Sequence, residues 1–140
     1  MNLIRWLDSG DLQKIAATEK SLKDLLKLIA RDLKDCQIKE LSADRRFATA
    51  YGAALNLANY VIRKQGCRVS SKVGHHRVTF EVATEILGAK SFTFNDFFDL
   101  CRRKRNKVDY DLADIVTETE VEELVDVVKQ YQKFIFATMK

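Results

Sequence analysis

The segment FATAYGAALNLANY, from Phe47 to Tyr60, decides the fold class of this chain. Its apolar residues recur at helical spacing. Many of them are small enough for a neighbouring helix to approach closely: Ala48, Ala50, Gly52, Ala53, Ala54 and Ala58. The segment belongs to a predicted helix that begins at Ser42 and stops near Gly66, and we expect this helix to pack against others in a bundle.

Four further amphipathic stretches flank this helix. The first runs from Asp11 to about Cys36. The second follows the polar connector Val69–Gly74 and ends at Gly88. The third is capped by Thr93 or Asn95, and the fourth begins at Thr117 or Thr119. The 140 residues include no proline and five glycines, and this scarcity of turn residues argues against an all-β fold. The sequence predicts an all-α, antiparallel bundle of about five helices, forming one domain over residues 1–140.

Charge is unevenly distributed along the chain. Residues 1–107 have a balance of +9 and residues 108–140 a balance of −5, which together give the net charge of +4. The sign changes directly after a basic hexamer, Arg102-Arg103-Lys104-Arg105-Asn106-Lys107. Such a cluster can attract phosphates, and it can equally be a solvated helix face or form ion pairs with the acidic segment.

Cysteine usage and hydropathy limit the class of protein. Cys36, Cys67 and Cys101 form no C-x-x-C pair, so neither a disulfide framework nor a zinc ribbon is indicated. No metal site and no cofactor are predicted. No apolar run approaches the roughly 18 residues of a membrane span, and the first ten residues lack the apolar core of a signal peptide. We expect a cytoplasmic protein without membrane contact.

One arginine of the hexamer is predicted to point inward. On a helical wheel Arg105 lies about 40° from Cys101, inside the apolar stripe. That stripe consists of Phe94, Phe97, Phe98, Cys101 and Val108. A guanidinium there requires a partner. Either Asp109, one turn further on, pairs with it, or Arg105 grips a phosphate or carboxylate at a subunit seam or cleft.

The order of these features resembles a HEPN domain. The features are a long first helix, the small-residue helix, a Gly-His-His start to the third helix (Gly74, His75, His76) and an Arg-Asn pair late in the fourth. The resemblance covers roughly residues 10 to 138. It implies an antiparallel helical bundle that dimerises. Many HEPN domains are metal-independent ribonucleases of toxin–antitoxin and defence systems, often encoded beside a minimal nucleotidyltransferase.

The resemblance implies a catalytic set. Arg105 and Asn106 match the first two positions of the family motif, and Tyr110 occupies the position of its histidine. A second register, Arg103 followed by Val108 and Tyr110, also lacks the histidine. A tyrosine with a pKa near 10 is ionised in only about one molecule per thousand at pH 7, so it donates a proton far more readily than it accepts one.

The two histidines of the chain are further candidates. His75, His76 and Arg77 lie at the predicted start of the third helix, where an anion is favoured, although capping, packing or exposure would explain them as well. The predicted phosphate-binding residues are therefore Arg102, Arg103, Lys104, Lys107, His75, His76 and Arg77.

Two functions fit these features. The first is a HEPN-type component of a toxin–antitoxin or defence module that binds RNA or a nucleotide and is a degenerate metal-independent ribonuclease. The alternative is a non-catalytic helical module that forms a homodimer and partners a minimal nucleotidyltransferase.

Overall fold

The computed structural model describes residues 1–110 and 113–139, with residues 109 and 110 described in their secondary structure only. Over these residues the chain forms six α-helices, one 3₁₀ turn and a two-stranded sheet, so the predicted all-α class is confirmed. The elements are α1 Ile4–Ser9, β1 Leu12–Lys14, α2 Glu19–Asp35, α3 Ala43–Lys64, β2 Cys67–Val69, α4 His75–Leu87, a 3₁₀ turn Ala89–Ser91, α5 Phe92–Tyr110 and α6 Glu118–Thr138.

Helix α3 lies at the centre of the bundle and contacts α2, α4, α5 and α6. Its small residues Ala50, Ala53, Ala54 and Ala58 are fully buried, as the sequence predicts for a helix that others approach closely. Small side chains bring backbones together, and the large ones then interlock between helices. The main core therefore spans residues from all five long helices.

The first predicted helix is wrong at its beginning. Leu12 lies in β1, which pairs antiparallel with β2 and places Leu12 opposite Val69. The backbone N–H of Ile15 donates to the carbonyl of Gly66 at 2.8 Å, so this residue too is outside the helix. Helix α2 begins only after Thr18, whose hydroxyl accepts from the Ser21 N–H. Leu12 and Ile15 are three residues apart, a spacing that also suits a helix.

The small sheet also shortens the predicted polar connector, because Val69 belongs to β2. The sheet and the short helix α1 both contribute to a second apolar cluster. Periodicity did not predict α1. The buried members of the cluster are Trp6, Leu12, Ile62, Cys67 and Val82. Trp6 is therefore a packing residue.

The ends of the later helices are partly as predicted. Helix α4 ends at Gly88, whose φ of 94° favours glycine, and Thr117 begins α6 in a reciprocal capping box with Glu120. Neither Thr93 nor Asn95 caps α5, however. That helix follows the 3₁₀ turn directly and begins at Phe92, so both residues lie inside its first turn. The preceding Ser91 is buried, and its hydroxyl donates to the carbonyl of Gly88 at 2.7 Å.

No helix in the described part of the chain is both long and apolar enough to span a membrane.

Candidate functional site

A cleft of about 770 Å³ opens between the start of α4 and the second half of α5. Helix α5 contributes Arg102, Arg105 and Asn106, and the other wall is formed by Ser71, Lys72, Val73, Gly74, His75 and His76. Among the described residues, no aspartate or glutamate lines this cleft. The fold thus brings the Arg-Asn pair of α5 and both histidines, about thirty residues apart in the chain, to one basic concavity.

Arg102 is held at the cleft wall by a carboxylate on its own helix. Its Nε and Nη2 atoms donate to Oδ1 of Asp99 at 3.2 and 2.9 Å. Burial by itself would raise the pKa of Asp99, but the hydrogen bond and charge of Arg102, together with Arg103, outweigh it and hold that pKa below its usual range. Asp99 is therefore ionised at neutral pH, and its partner Arg102 is kept in one orientation.

Arg105 points inward, toward the centre of the bundle. Its side chain is half-buried, and its Cζ atom lies 5.5 Å from the ring centre of Tyr51, a fully buried residue of α3. A guanidinium over an aromatic ring is attracted by the ring quadrupole. Asp109, the predicted ion-pair partner of Arg105, has its side chain outside the described residues.

Tyr51 also contacts His76. Its hydroxyl lies 3.4 Å from Nδ1 of His76, a long hydrogen-bonding distance, and the two ring centres are 5.8 Å apart. Burial raises the pKa of Tyr51, and the nearby charges of Arg105 and Arg102 lower it by less. The hydroxyl therefore keeps its proton. In the neutral His76 tautomer whose ring hydrogen is on Nε2, the hydroxyl donates to the unprotonated Nδ1.

The tautomer of neutral His75 is set by a backbone contact. Its Nδ1 lies 2.9 Å from the carbonyl oxygen of Lys72. Because a carbonyl oxygen only accepts, Nδ1 carries the hydrogen, and Nε2 is then the acceptor atom of the neutral ring. The ring centres of His75 and His76 are 4.5 Å apart in an edge-to-face arrangement.

The other predicted phosphate-binding residues do not line the cleft. Arg77 faces Glu81 at 3.7 Å, Arg103 pairs with Oδ2 of Asp99 at 2.9 Å, and Lys104 pairs with Glu120 of α6 at 3.2 Å. Lys107 is exposed and is also outside the lining. The basic hexamer is therefore split by the helical turn into residues that face the cleft and residues that face carboxylates or solvent.

The two proposed motif registers differ in this geometry. Arg105 and Asn106, of the first register, both line the cleft. In the second register Arg103 is exposed, and Val108 packs against the core. The side chain of Tyr110, common to both registers, lies outside the described residues, so its role stays a prediction.

Sequence reasoning missed two contributors to the cleft. Tyr51 contacts both Arg105 and His76, and Lys72, whose ammonium pairs with Asp11 at 3.6 Å, supplies the carbonyl that orients His75. Tyr51 was counted only as an apolar member of the small-residue helix. A signal was present, because a hydroxyl-bearing aromatic residue at a buried position usually has a polar partner.

No group of three or more His, Cys, Asp or Glu side chains in the described ranges is placed to hold a metal ion. Comparison of the chain with models of protein families, with curated proteins and with solved structures finds no match.

Proposed function

We propose that this chain is a HEPN-type component of a toxin–antitoxin or defence module, and that its cleft binds the phosphates of RNA or a nucleotide. One observation supports binding above the others. Arg102, Arg105 and Asn106 meet His75 and His76 in a concavity whose described lining contains no carboxylate. The family assignment rests on the order of the sequence features, from the small-residue helix to the Arg-Asn pair.

The chemistry of the lining suits a phosphate. Guanidinium groups bind phosphate oxygens through paired, charge-assisted hydrogen bonds. Helix α4 begins at His75, after the N-cap residue Gly74, and no side chain among the described residues caps its first turn. The positive end of the helix dipole therefore faces the same space. An anion in the cleft would therefore meet charge from two helices at once.

Binding is tested by titrating a short labelled RNA at several salt concentrations. Arg105→Ala should weaken binding by about 10- to 100-fold and reduce the slope of log K against log salt by about one, because one phosphate contact is lost. Arg103→Ala is the matched control, since it removes the same charge from the same helix outside the cleft. Equal effects of the two substitutions, or salt-independent binding by the unaltered protein, would contradict the proposal.

The two imidazoles supply the proton transfers that Tyr110 supplies poorly. In the proposed cleavage, Nε2 of neutral His75 takes the proton of the RNA 2′-hydroxyl, and that oxygen attacks the adjacent phosphorus. The bond from phosphorus to the 5′ oxygen breaks, and Nε2–H of His76 protonates the leaving oxygen. The products are a 2′,3′-cyclic phosphate and a 5′-hydroxyl. The carbonyl of Lys72 fixes the tautomer of neutral His75, and the Nε2–H tautomer of His76 is the one to which the Tyr51 hydroxyl donates.

Cleavage is tested with end-labelled RNA and analysis of the product termini. His75→Ala and His76→Ala should each reduce the rate by about 10²-fold or more, which is the usual contribution of a positioned acid or base. Arg77→Ala, in the next position of the same helix but outside the cleft, should leave the rate nearly unchanged. If the protein binds RNA but does not cleave it, the proposed cleavage is contradicted and the proposed phosphate binding is retained.

A non-catalytic module is the second candidate. Phe92 and Leu100 of α5 are 57% and 63% exposed, so their apolar side chains are accessible to a partner protein. A homodimer and a minimal nucleotidyltransferase are the proposed partners. The three cysteines are free and buried, which suits a reducing compartment such as the cytoplasm. Light scattering of the purified protein, alone and with the nucleotidyltransferase, measures both associations.

A further inference from the structure

A second basic hollow, of about 260 Å³, adjoins the cleft. Its lining consists of Leu55, Asn59, Arg63, Arg68, Val69, Ser71, His75 and Thr79. Ser71 and His75 also line the cleft, so the two concavities meet at these residues. We call the two concavities together the His75 track. Arg102 and Arg105 line one part of it, and Arg63 and Arg68 line the other.

The arginines of this hollow differ from the other arginines around it. Arg102 and Arg103 share Asp99, and Arg77 has Glu81. Among the side chains of residues 1–108 and 113–139, none forms an ion pair with Arg63 or Arg68, and no carboxylate lines their hollow. Like charges gathered without a counter-charge raise the local potential, and a bound anion relieves it.

The balance of charge is different in the hollow between α2, α3 and α6. That hollow also contains cations, Lys39, Arg46 and Lys129, but Glu122 and Asp126 share its lining. Arg46 is buried there and is satisfied by Glu118 and by the carbonyl of Cys36. Basic residues therefore line more than one concavity of this molecule. The cleft and the adjoining hollow differ from the third concavity because no carboxylate of the described residues lines either of them.

Arg68 is held in place by the small sheet. Its Nε donates to Oε1 of Gln13 at 3.1 Å, across the register pair that joins β1 and β2. Arg63 lies in the last turn of α3, one residue before the helix ends. The strand pairing, which joins residues more than fifty positions apart, thus positions one of the two arginines that line the hollow.

We propose that this hollow is a subsite for a second phosphate, next to the one bound in the cleft. The proposal rests on the proposed function, and it names the ligand as a single RNA strand with at least two phosphates rather than a mononucleotide. The strand would pass over His75 with one phosphate on each side. Single strands are bound in this way by basic grooves that follow the backbone. Leu55 and Val69 add apolar surface against which a ribose or base can rest.

The test compares ligands of different length. Uridine monophosphate and a labelled eight-residue uridine oligonucleotide are titrated against the unaltered protein, the double variant Arg63→Ala/Arg68→Ala and Arg105→Ala. The double variant should bind the oligonucleotide at least about tenfold more weakly, with a salt slope smaller by about one, because the contact to one phosphate is lost. Its affinity for the monophosphate should change less than twofold. Arg105→Ala should lose affinity for both ligands.

The control is Arg5→Ala/Arg31→Ala, which removes the same charge from α1 and α2 outside the track. Thermal unfolding confirms that each variant is folded, and Arg63→Gln/Arg68→Gln replaces the alanine pair if that pair is not. Unchanged oligonucleotide binding by the double variant, or equal loss of both ligands, would overturn the subsite while leaving the cleft as proposed. Failure of the unaltered protein to bind either ligand would overturn the proposed function and the subsite together.

Discussion

The two halves of α5 are built for different purposes. The first half packs into an aromatic cluster, in which Phe98 is fully buried, with ring centres 5.1 Å from Phe80 and 5.0 Å from Tyr131. The second half, beginning at Arg102, presents cations to the cleft on one side and to α6 on the other. The comparison shows how one helix can present charged groups in fixed directions: the aromatic half is anchored in the core, and the cationic half extends from that anchor.

The cations are also sorted by direction. Lys104 faces the first turn of α6 and is neutralised by Glu120, which itself belongs to the capping box with Thr117. Arg105, one residue later and therefore about 100° around the helix, faces the cleft and Tyr51. Neighbouring basic residues thus have separate roles, bracing the bundle in one direction and lining a binding surface in the other.

The largest expected effect comes from removing the anchor. Phe98→Ala should reduce the free energy of unfolding by about 3–5 kcal/mol, because a buried ring is replaced by a cavity that its neighbours fill only in part. Leu100→Ala is the control on the same helix, since Leu100 is exposed, and it should change stability by less than about 0.5 kcal/mol. Denaturant unfolding measures both values. Similar losses in the two variants would show that the aromatic half is not the anchor.

An intermediate loss of stability is expected at the first turn of α6, where Glu120 pairs with Lys104 of α5. Thr117→Ala removes the hydroxyl that accepts from the Glu120 N–H at 3.1 Å, and it should cost about 1 kcal/mol of stability. Thr119→Ala, two residues further along α6, removes the same group from a position that does not cap the helix. Thermal unfolding of both variants provides the measurement. An equal loss in both variants would contradict the capping role of Thr117.

The smallest effect concerns the ion pairs of Asp99 and depends on pH. Because the folded-state pKa of Asp99 is lowered, its contribution to stability is present above the ordinary aspartate pKa near 3.9 and is lost as the pH falls through the folded-state value. Asp99→Asn should therefore lose less stability than the unaltered protein between pH 6 and pH 3. At pH 6 the variant should be less stable by a few tenths to about 1 kcal/mol.

Asp96→Asn is the matched control for this comparison. Asp96 is an exposed residue on the same helix, and it forms no ion pair within the described part of the chain. Unfolding midpoints at the two pH values are compared for the three proteins. If Asp96→Asn alters the pH dependence as much as Asp99→Asn does, then the pairs with Arg102 and Arg103 do not account for it.

The sequence by itself determined the long helices, because their signals are local. Apolar residues at helical spacing predicted α2 to α6, and Gly88 and Thr117 marked two of the helix ends. The small residues of α3 predicted the close approach of a neighbouring helix. The inward direction of Arg105 also followed from spacing alone, since an unbroken helix fixes the angle between neighbours. These features depend on residues that are close together in the chain.

Only the tertiary structure decided the site and the small sheet. Three-residue strands have no periodicity distinct from a helix, and β1 is stabilised by a partner more than fifty residues away, so Leu12 was assigned to the wrong element. The site likewise depends on packing between elements. Packing brings His75 and Arg105 to one cleft, places Tyr51 against His76, and puts the hollow of Arg63 next to the cleft. Spacing along a chain specifies directions around one helix, whereas contacts between helices follow from how all their faces are buried together.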